Sequence, residues 1–110
     1  MYPKNEEFDE ELQELAKIAK ALSHPARLAI IKYLAEQKSC ISGNISDFIP
    51  LSRTTVSQHL QELKKAGLIK GTIDGLKVNY CICNSNMNKV KKMFNNFFKE
   101  TVLSNKDNIC

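Results

Sequence analysis

Residues 51–82 constrain the fold more than any other part of the chain, because a helix with marked ends runs straight into a pair of strands. Ser52 stands just before Arg53-Thr54-Thr55-Val56-Ser57-Gln58-His59, where a side-chain oxygen accepts from the unpaired N–H groups of a first helical turn. Val56, Leu60 and Leu63 recur at i, i+4 and i+7 and form one apolar stripe. Gly67 ends the helix after Lys64 and Lys65, whose charges suit its negative end. Leu68–Ile73 and Leu76–Ile82 follow as runs rich in β-branched and aromatic residues, and Asp74-Gly75 between them is a strong hairpin-turn signal. Arg53, Thr54, Ser57, Gln58 and Gln61 fall away from the stripe. A helix that buries one side and offers an arginine, hydroxyls and an amide at its N-terminal end suits the major groove of DNA, whose base edges pair with those side chains. An ordinary solvated surface helix also shows a polar face, so the surrounding elements must decide.

Those elements favour the groove. Phe8, Leu12, Leu15, Ala19 and Leu22 repeat at helical spacing and predict a first helix of about four turns. Ser23-His24-Pro25 breaks it, with proline well placed to open the next helix and His24 a structural residue at its start. Leu28, Ile31 and Leu34 give the second helix its buried side, and Lys38–Ile41 is short enough for a strand. A short third helix is expected around Ser42–Phe48, with Ile45 and Phe48 inward and Ile49-Pro50-Leu51 as the turn. Two helices joined in this way make a helix-turn-helix over about 42–66, and a hairpin directly after it, about 68–83, is a wing. Lys70 and Lys77 would carry the wing onto the phosphate backbone or into the neighbouring minor groove.

A last helix, about 85–103, aligns Met87, Val90, Phe94, Phe97 and Thr101, with Phe98 beside them. This helix either covers its own subunit's core or, the preferred reading, joins the first helix in a dimer face. Phe8, Leu12, Leu15, Val90, Phe94, Phe97 and Phe98 would then pack against their symmetry mates. The expectation is therefore one domain over residues 1–110, mainly α with a small β-hairpin wing: a winged helix-turn-helix of about five helices, homodimeric. The tail from Ser104 to Cys110 has no periodicity.

Charge agrees. The net +4 hides residues 1–15, where Lys4 faces six carboxylates, while the rest holds fifteen bases against six acids. A basic body with an acidic lead-in fits a surface that meets phosphates at one end only. No apolar run approaches a membrane span, and the acidic start resembles neither a signal nor a transit peptide, so a cytoplasmic protein is expected. Two histidines, no glycine-rich phosphate loop and no carboxylate–histidine cluster argue against an enzyme. The rival use of the same fold is a winged-helix module that contacts another protein without specific DNA binding.

Four segments carry a likeness to a known family: Ala21-Leu22-Ser23-His24-Pro25-Ala26-Arg27-Leu28, Thr55-Val56-Ser57-Gln58-His59-Leu60, Leu63-Lys64-Lys65-Ala66-Gly67-Leu68-Ile69, and the wing. Together they make residues 12–83 resemble the ArsR/SmtB family of winged-helix repressors. The resemblance implies a homodimer that represses transcription from a palindromic operator on double-stranded DNA until an inducer reaches a sensor site. By position it implies DNA contact by Ser52, Arg53, Thr54, Thr55, Ser57, Gln58 and His59 on the helix and by Lys70 and Lys77 on the wing. His59 has a second reading, as a residue that caps or packs beneath the helix.

The sensor sites usual in that family do not match this chain. Arsenic-sensing relatives carry Cys-x-Cys near the third helix, but here Ser39-Cys40-Ile41-Ser42 has serine at the second position, a poor ligand for a soft ion. The family's other site, built from Asp, His and Glu on the last helix, is absent, since residues 84–103 offer only Glu100. In winged helices the strand before the third helix commonly pairs with the second wing strand, which would bring Cys40 near Cys81 and Cys83. Strand alternation points those last two the same way. The cysteines therefore admit three readings: small buried apolar residues, a three-thiol site for a metalloid or metal ion, or a redox switch. In a reducing cytosol they are expected as free thiols, ligands or sensors, and Cys81–Cys83 is an unlikely pair to bond.

Overall fold

A computed structural model of the chain describes residues 7–37, 40–42, 44–74 and 77–104. Helix α1 (Glu10–Ala21) and helix α2 (Pro25–Gln37) precede a two-residue strand β1 (Ile41–Ser42) and a single 3-10 turn (Asn44–Asp47). Helix α3 (Arg53–Lys65), the hairpin β2 (Ile69–Asp74) and β3 (Lys77–Ile82), and helix α4 (Asn84–Thr101) complete the order. Among the described residues there are four α-helices. The expected third helix is only the 3-10 turn, because Pro50 sits too close to allow a second turn. The expected wing hairpin belongs to a three-stranded antiparallel sheet in the order β1-β3-β2, with Ile41 opposite Tyr80 and Ile69 opposite Ile82. Gly75, Leu76, Lys38 and Ser39, and with them the Asp74-Gly75 turn and the start of the first short strand, lie outside the described residues, as do residues 105–110.

The core gathers where α2, α3 and the sheet meet. Ile30, Leu63, Leu68 and Ile69 are fully buried, with Ile18, Leu34, Ile45 and Val56 around them. Two inward assignments change. Leu28 is exposed, since Ala26, Ile30, Ile31 and Leu34 form the buried side of α2. Phe48 is also exposed and stacks on Tyr33 at a ring separation of 4.6 Å, leaving Ile45 and Ile49 to fill the interior. On α1 the residues that reach the core are Ile18 and Ala21, not the Phe8–Leu12 stripe.

The end of α3 shows how local sequence fixes a long-range angle. Gly67 has φ +78°, a conformation that L side chains rarely adopt. Its N–H donates to the Lys64 carbonyl, and the Leu68 N–H donates to the Leu63 carbonyl, the paired bonds of a Schellman turn. The same turn brings Leu63 and Leu68 together in the core, as that motif requires. The Asn86 side-chain amide of α4 donates to the Gly67 carbonyl at 2.8 Å, so α4 is anchored to the end of α3.

Candidate nucleic-acid interface

Helix α3 opens as its sequence suggests. The Ser52 hydroxyl accepts from the Thr55 N–H at 3.2 Å, and the two hydroxyls lie 2.9 Å apart. Ser52 and Thr55 thus serve the cap first, which sets the helix start. Arg53, Thr54, Ser57, Gln58 and Gln61 are all exposed, while Val56, Leu60 and Leu63 are buried. The exposed side of α3 is therefore one continuous polar strip along its first turns.

His59 does not belong to it. The residue is buried, and its Nδ1 accepts a hydrogen bond from Arg27 Nε at 3.0 Å. Its ring lies 4.3 Å from that of His24. His24 in turn caps α2, its Nδ1 accepting from the Ala26 N–H at 3.0 Å, as a structural residue at that helix start should. Arg27 also donates through Nη1 to the Ala21 carbonyl at 3.2 Å, so one guanidinium ties the end of α1, α2 and α3 together. His59 is thus corrected from DNA contact to an internal strut. Its spacing carried the signal: it lies three residues after Val56 and four before Leu63, on the apolar side. Arg27 was missed because no local pattern marks an arginine that donates across 32 positions of sequence.

This strut has a pH signature. Burial, and then the nearby His24 and Arg27 charges, hold the His59 pKa below its ordinary 6.5. The unfolded chain then binds more protons than the folded one as pH drops. The contribution is complete above about pH 6.5 and declines as pH falls through the lowered folded value. The unfolding free energy of the parent should fall as pH drops below about 6.5, and His59→Gln, which keeps an acceptor for Arg27, should flatten that slope. Equal slopes in urea titrations of the two proteins would refute the assignment.

On the wing, Lys77 begins β3 opposite Asp74, at the far end of the hairpin; its side chain lies outside the described residues. Lys70 lies at the wing's base, directly across from Cys81, and its charge reaches Cys83. The cysteines are not three converging thiols. Cys40 and Cys81 are joined in a disulfide with Cα atoms 4.5 Å apart. That corrects the three-thiol metal site at Cys40, Cys81 and Cys83, because a sulfur bonded to sulfur is not a thiolate ligand. Among the described residues no group of three His, Cys, Asp or Glu is placed to hold a metal ion. Cys83 is a free, half-buried thiol. The Asn86 N–H and then the Ser85 hydroxyl, 3.8 Å away, lower its pKa; burial opposes them, and Lys70 and Lys89 lower it a little further.

The comparisons with known proteins meet this geometry. A helix-turn-helix domain family matches residues 22–72, which runs from the end of α1 through α3 into β2. The HTH-type transcriptional regulator MJ1325 of Methanocaldococcus jannaschii, itself uncharacterized, is 36% identical over 84 residues, covering 76% of this chain and 94% of the relative. The transcriptional repressor PagR of Bacillus anthracis is 31% identical, covering 76% and 84%. An ArsR-like transcriptional regulator from Rhodococcus superposes with a TM-score of 0.66 at 26% identity, over 79% of this chain and 81% of that one. The chain belongs to the ArsR/SmtB family of transcriptional regulators.

As an ArsR/SmtB protein its outer helices have an informative surface. Val90 and Phe94 are half-buried against the chain's own core, so that part of α4 does cover its subunit. Beyond them Phe97 and Phe98 emerge, as Phe8 and Leu12 do from the α1 side. Leu12, Leu15, Met93 and Phe97 line a small cavity of about 90 Å³ between the two helices. No residue of the 18-residue α4 is fully buried. Among the described residues, no helix is long and apolar enough to cross a membrane.

Proposed function

We infer that this chain is a dimeric, DNA-binding transcriptional repressor that inserts α3 of each subunit into successive major grooves of a palindromic operator and leaves it when an inducer binds. The single observation that carries the reading is the exposed strip of Arg53, Thr54, Ser57 and Gln58 on a capped helix whose opposite side is locked into the core. Family membership supports repression, and a homodimeric winged helix-turn-helix DNA-binding domain from Mycobacterium bovis, which shares the fold at a TM-score of 0.64 and covers 96% of this chain, supports two copies. The exposed Phe8, Leu12, Phe97 and Phe98, with Leu15 between them, form the dimer face in this reading. Lys77 reaches phosphate from the wing, and Lys70 adds charge at its base. The protein is a cytoplasmic regulator rather than a catalyst.

The test is a binding titration against duplexes selected from a random pool, repeated at several salt concentrations. Affinity should fall steeply with salt, as neutralised phosphates release counterions; a module that contacts only proteins would select no duplex. Arg53→Ala should cost about 1–3 kcal/mol and relax preference at one base pair, whereas Lys77→Ala should weaken all sequences alike and make the salt slope shallower. Equal, sequence-independent losses from both would reduce Arg53 to a phosphate contact.

A further inference from the structure

The disulfide sits where the DNA-reading unit is closed. Cys40 and Cys81 occupy the next cross-strand position beyond Ile41 and Tyr80. The loop between them contains the 3-10 turn, all of α3 and all of β2. Without the bond, β1 is held to β3 by two residue pairs. Cys40 is exposed and Cys81 is buried. An open cleft of about 410 Å³ gives access to the bond, lined by Leu34, Cys40, Lys70, Cys81 and Asn84 among others and by no carboxylate among the described residues. Lys70 directly opposes Cys81 in the sheet and is the one charged side chain that lines this cleft among the described residues. A disulfide in a compartment kept reducing by small thiols is characteristically transient, catalytic or redox-sensing.

We propose that the Cys40–Cys81 bond is a reversible exchange switch, opened by a carboxylate-bearing low-molecular-weight thiol that docks in this cleft against Lys70, and that its opening weakens DNA binding. This rests on the DNA-binding reading above. The reagent's thiolate attacks the exposed Cys40 Sγ; the sulfur–sulfur bond breaks, a mixed disulfide forms on Cys40, and the electron pair leaves on Cys81 Sγ as a thiolate beside the Lys70 ammonium. A second thiolate attacks the reagent sulfur of that mixed disulfide, releasing the reagent's own disulfide and the Cys40 thiolate. Two thiols are oxidised, two cysteines are reduced, and the thiolates take up the displaced protons. Once open, β1 no longer fixes the segment leading to α3 against the wing strand, so binding must supply that order itself and affinity drops.

The experiment compares oxidised protein with protein reduced by glutathione, at a temperature where both keep their helical circular dichroism, on a duplex selected by the oxidised form. Reduction should lower affinity about tenfold or more, and reoxidation should restore it. Cys40→Ser should hold the reduced value under both conditions, while Cys83→Ser should respond like the parent. Equal affinity in both states, or a response that survives in Cys40→Ser, overturns the switch. An oxidised protein that selects no duplex overturns the DNA-binding reading, and the switch with it. Exchange itself is read by mass spectrometry and needs no DNA. The first adduct should map to Cys40, and Lys70→Gln should slow opening by glutathione about threefold or more while leaving opening by neutral β-mercaptoethanol unchanged. An adduct on Cys81, or equal slowing with both thiols, overturns the route.

Discussion

Phe97→Asp should convert the proposed dimer to a monomer and lower operator affinity by about a hundredfold or more. In the free subunit Phe97 is already partly exposed, at 37% of its surface, so an aspartate there disturbs the fold little. In the dimer the same carboxylate is driven into an apolar contact without a partner, at a cost of several kcal/mol. DNA binding suffers more than the subunit does. Two reading helices held together bind the second half-site as an intramolecular event, a gain on the order of 10²–10⁴ that disappears when they separate. Sedimentation equilibrium and a titration on the selected duplex check both halves. A variant that remains dimeric, or a monomer that binds as tightly as the parent, would remove α4 from the interface.

Opening the Cys40–Cys81 bond should lower the unfolding free energy by about 4 kcal/mol, on the order of 15 °C in Tm at fixed protein concentration. The estimate follows from the sequence separation of 41 residues, which sets the loop entropy released to the unfolded chain. Parent protein melted with and without reductant, beside Cys40→Ser with and without reductant, isolates the effect, because the variant should be indifferent to reductant. A parent whose two curves coincide would mean that the bond adds nothing to the folded state.

Elements whose ends are written in local chemistry were legible from the sequence. Ser52 and Gly67 mark α3 to within a residue because a cap oxygen and a positive φ are short-range demands. The hairpin followed from β-branched runs, although its third strand, only two residues long, was visible as little more than a possibility. Positions settled by tertiary packing were harder to read. On α1 the Phe8–Leu12 stripe and the Ile18–Ala21 pair both keep helical period, and only tertiary packing decides which faces the core. His59 admitted both a groove-facing and a packed reading until Arg27, far away in sequence, claimed its lone pair. The nearness of Cys40 to Cys81 was readable from strand pairing, but whether two adjacent sulfurs bond to each other or share an ion is not encoded in spacing.

The amide of Asn86 on the Gly67 carbonyl has a geometric corollary. In the proposed complex one end of that bond belongs to the rod that enters the groove and the other to the rod that meets the second subunit. There the joint would set the pitch between paired rods, and hence the number of base pairs separating two half-sites. Held tightly, it would make the proposed dimer a fixed caliper that rejects operators one base pair too long or too short, whatever their letters.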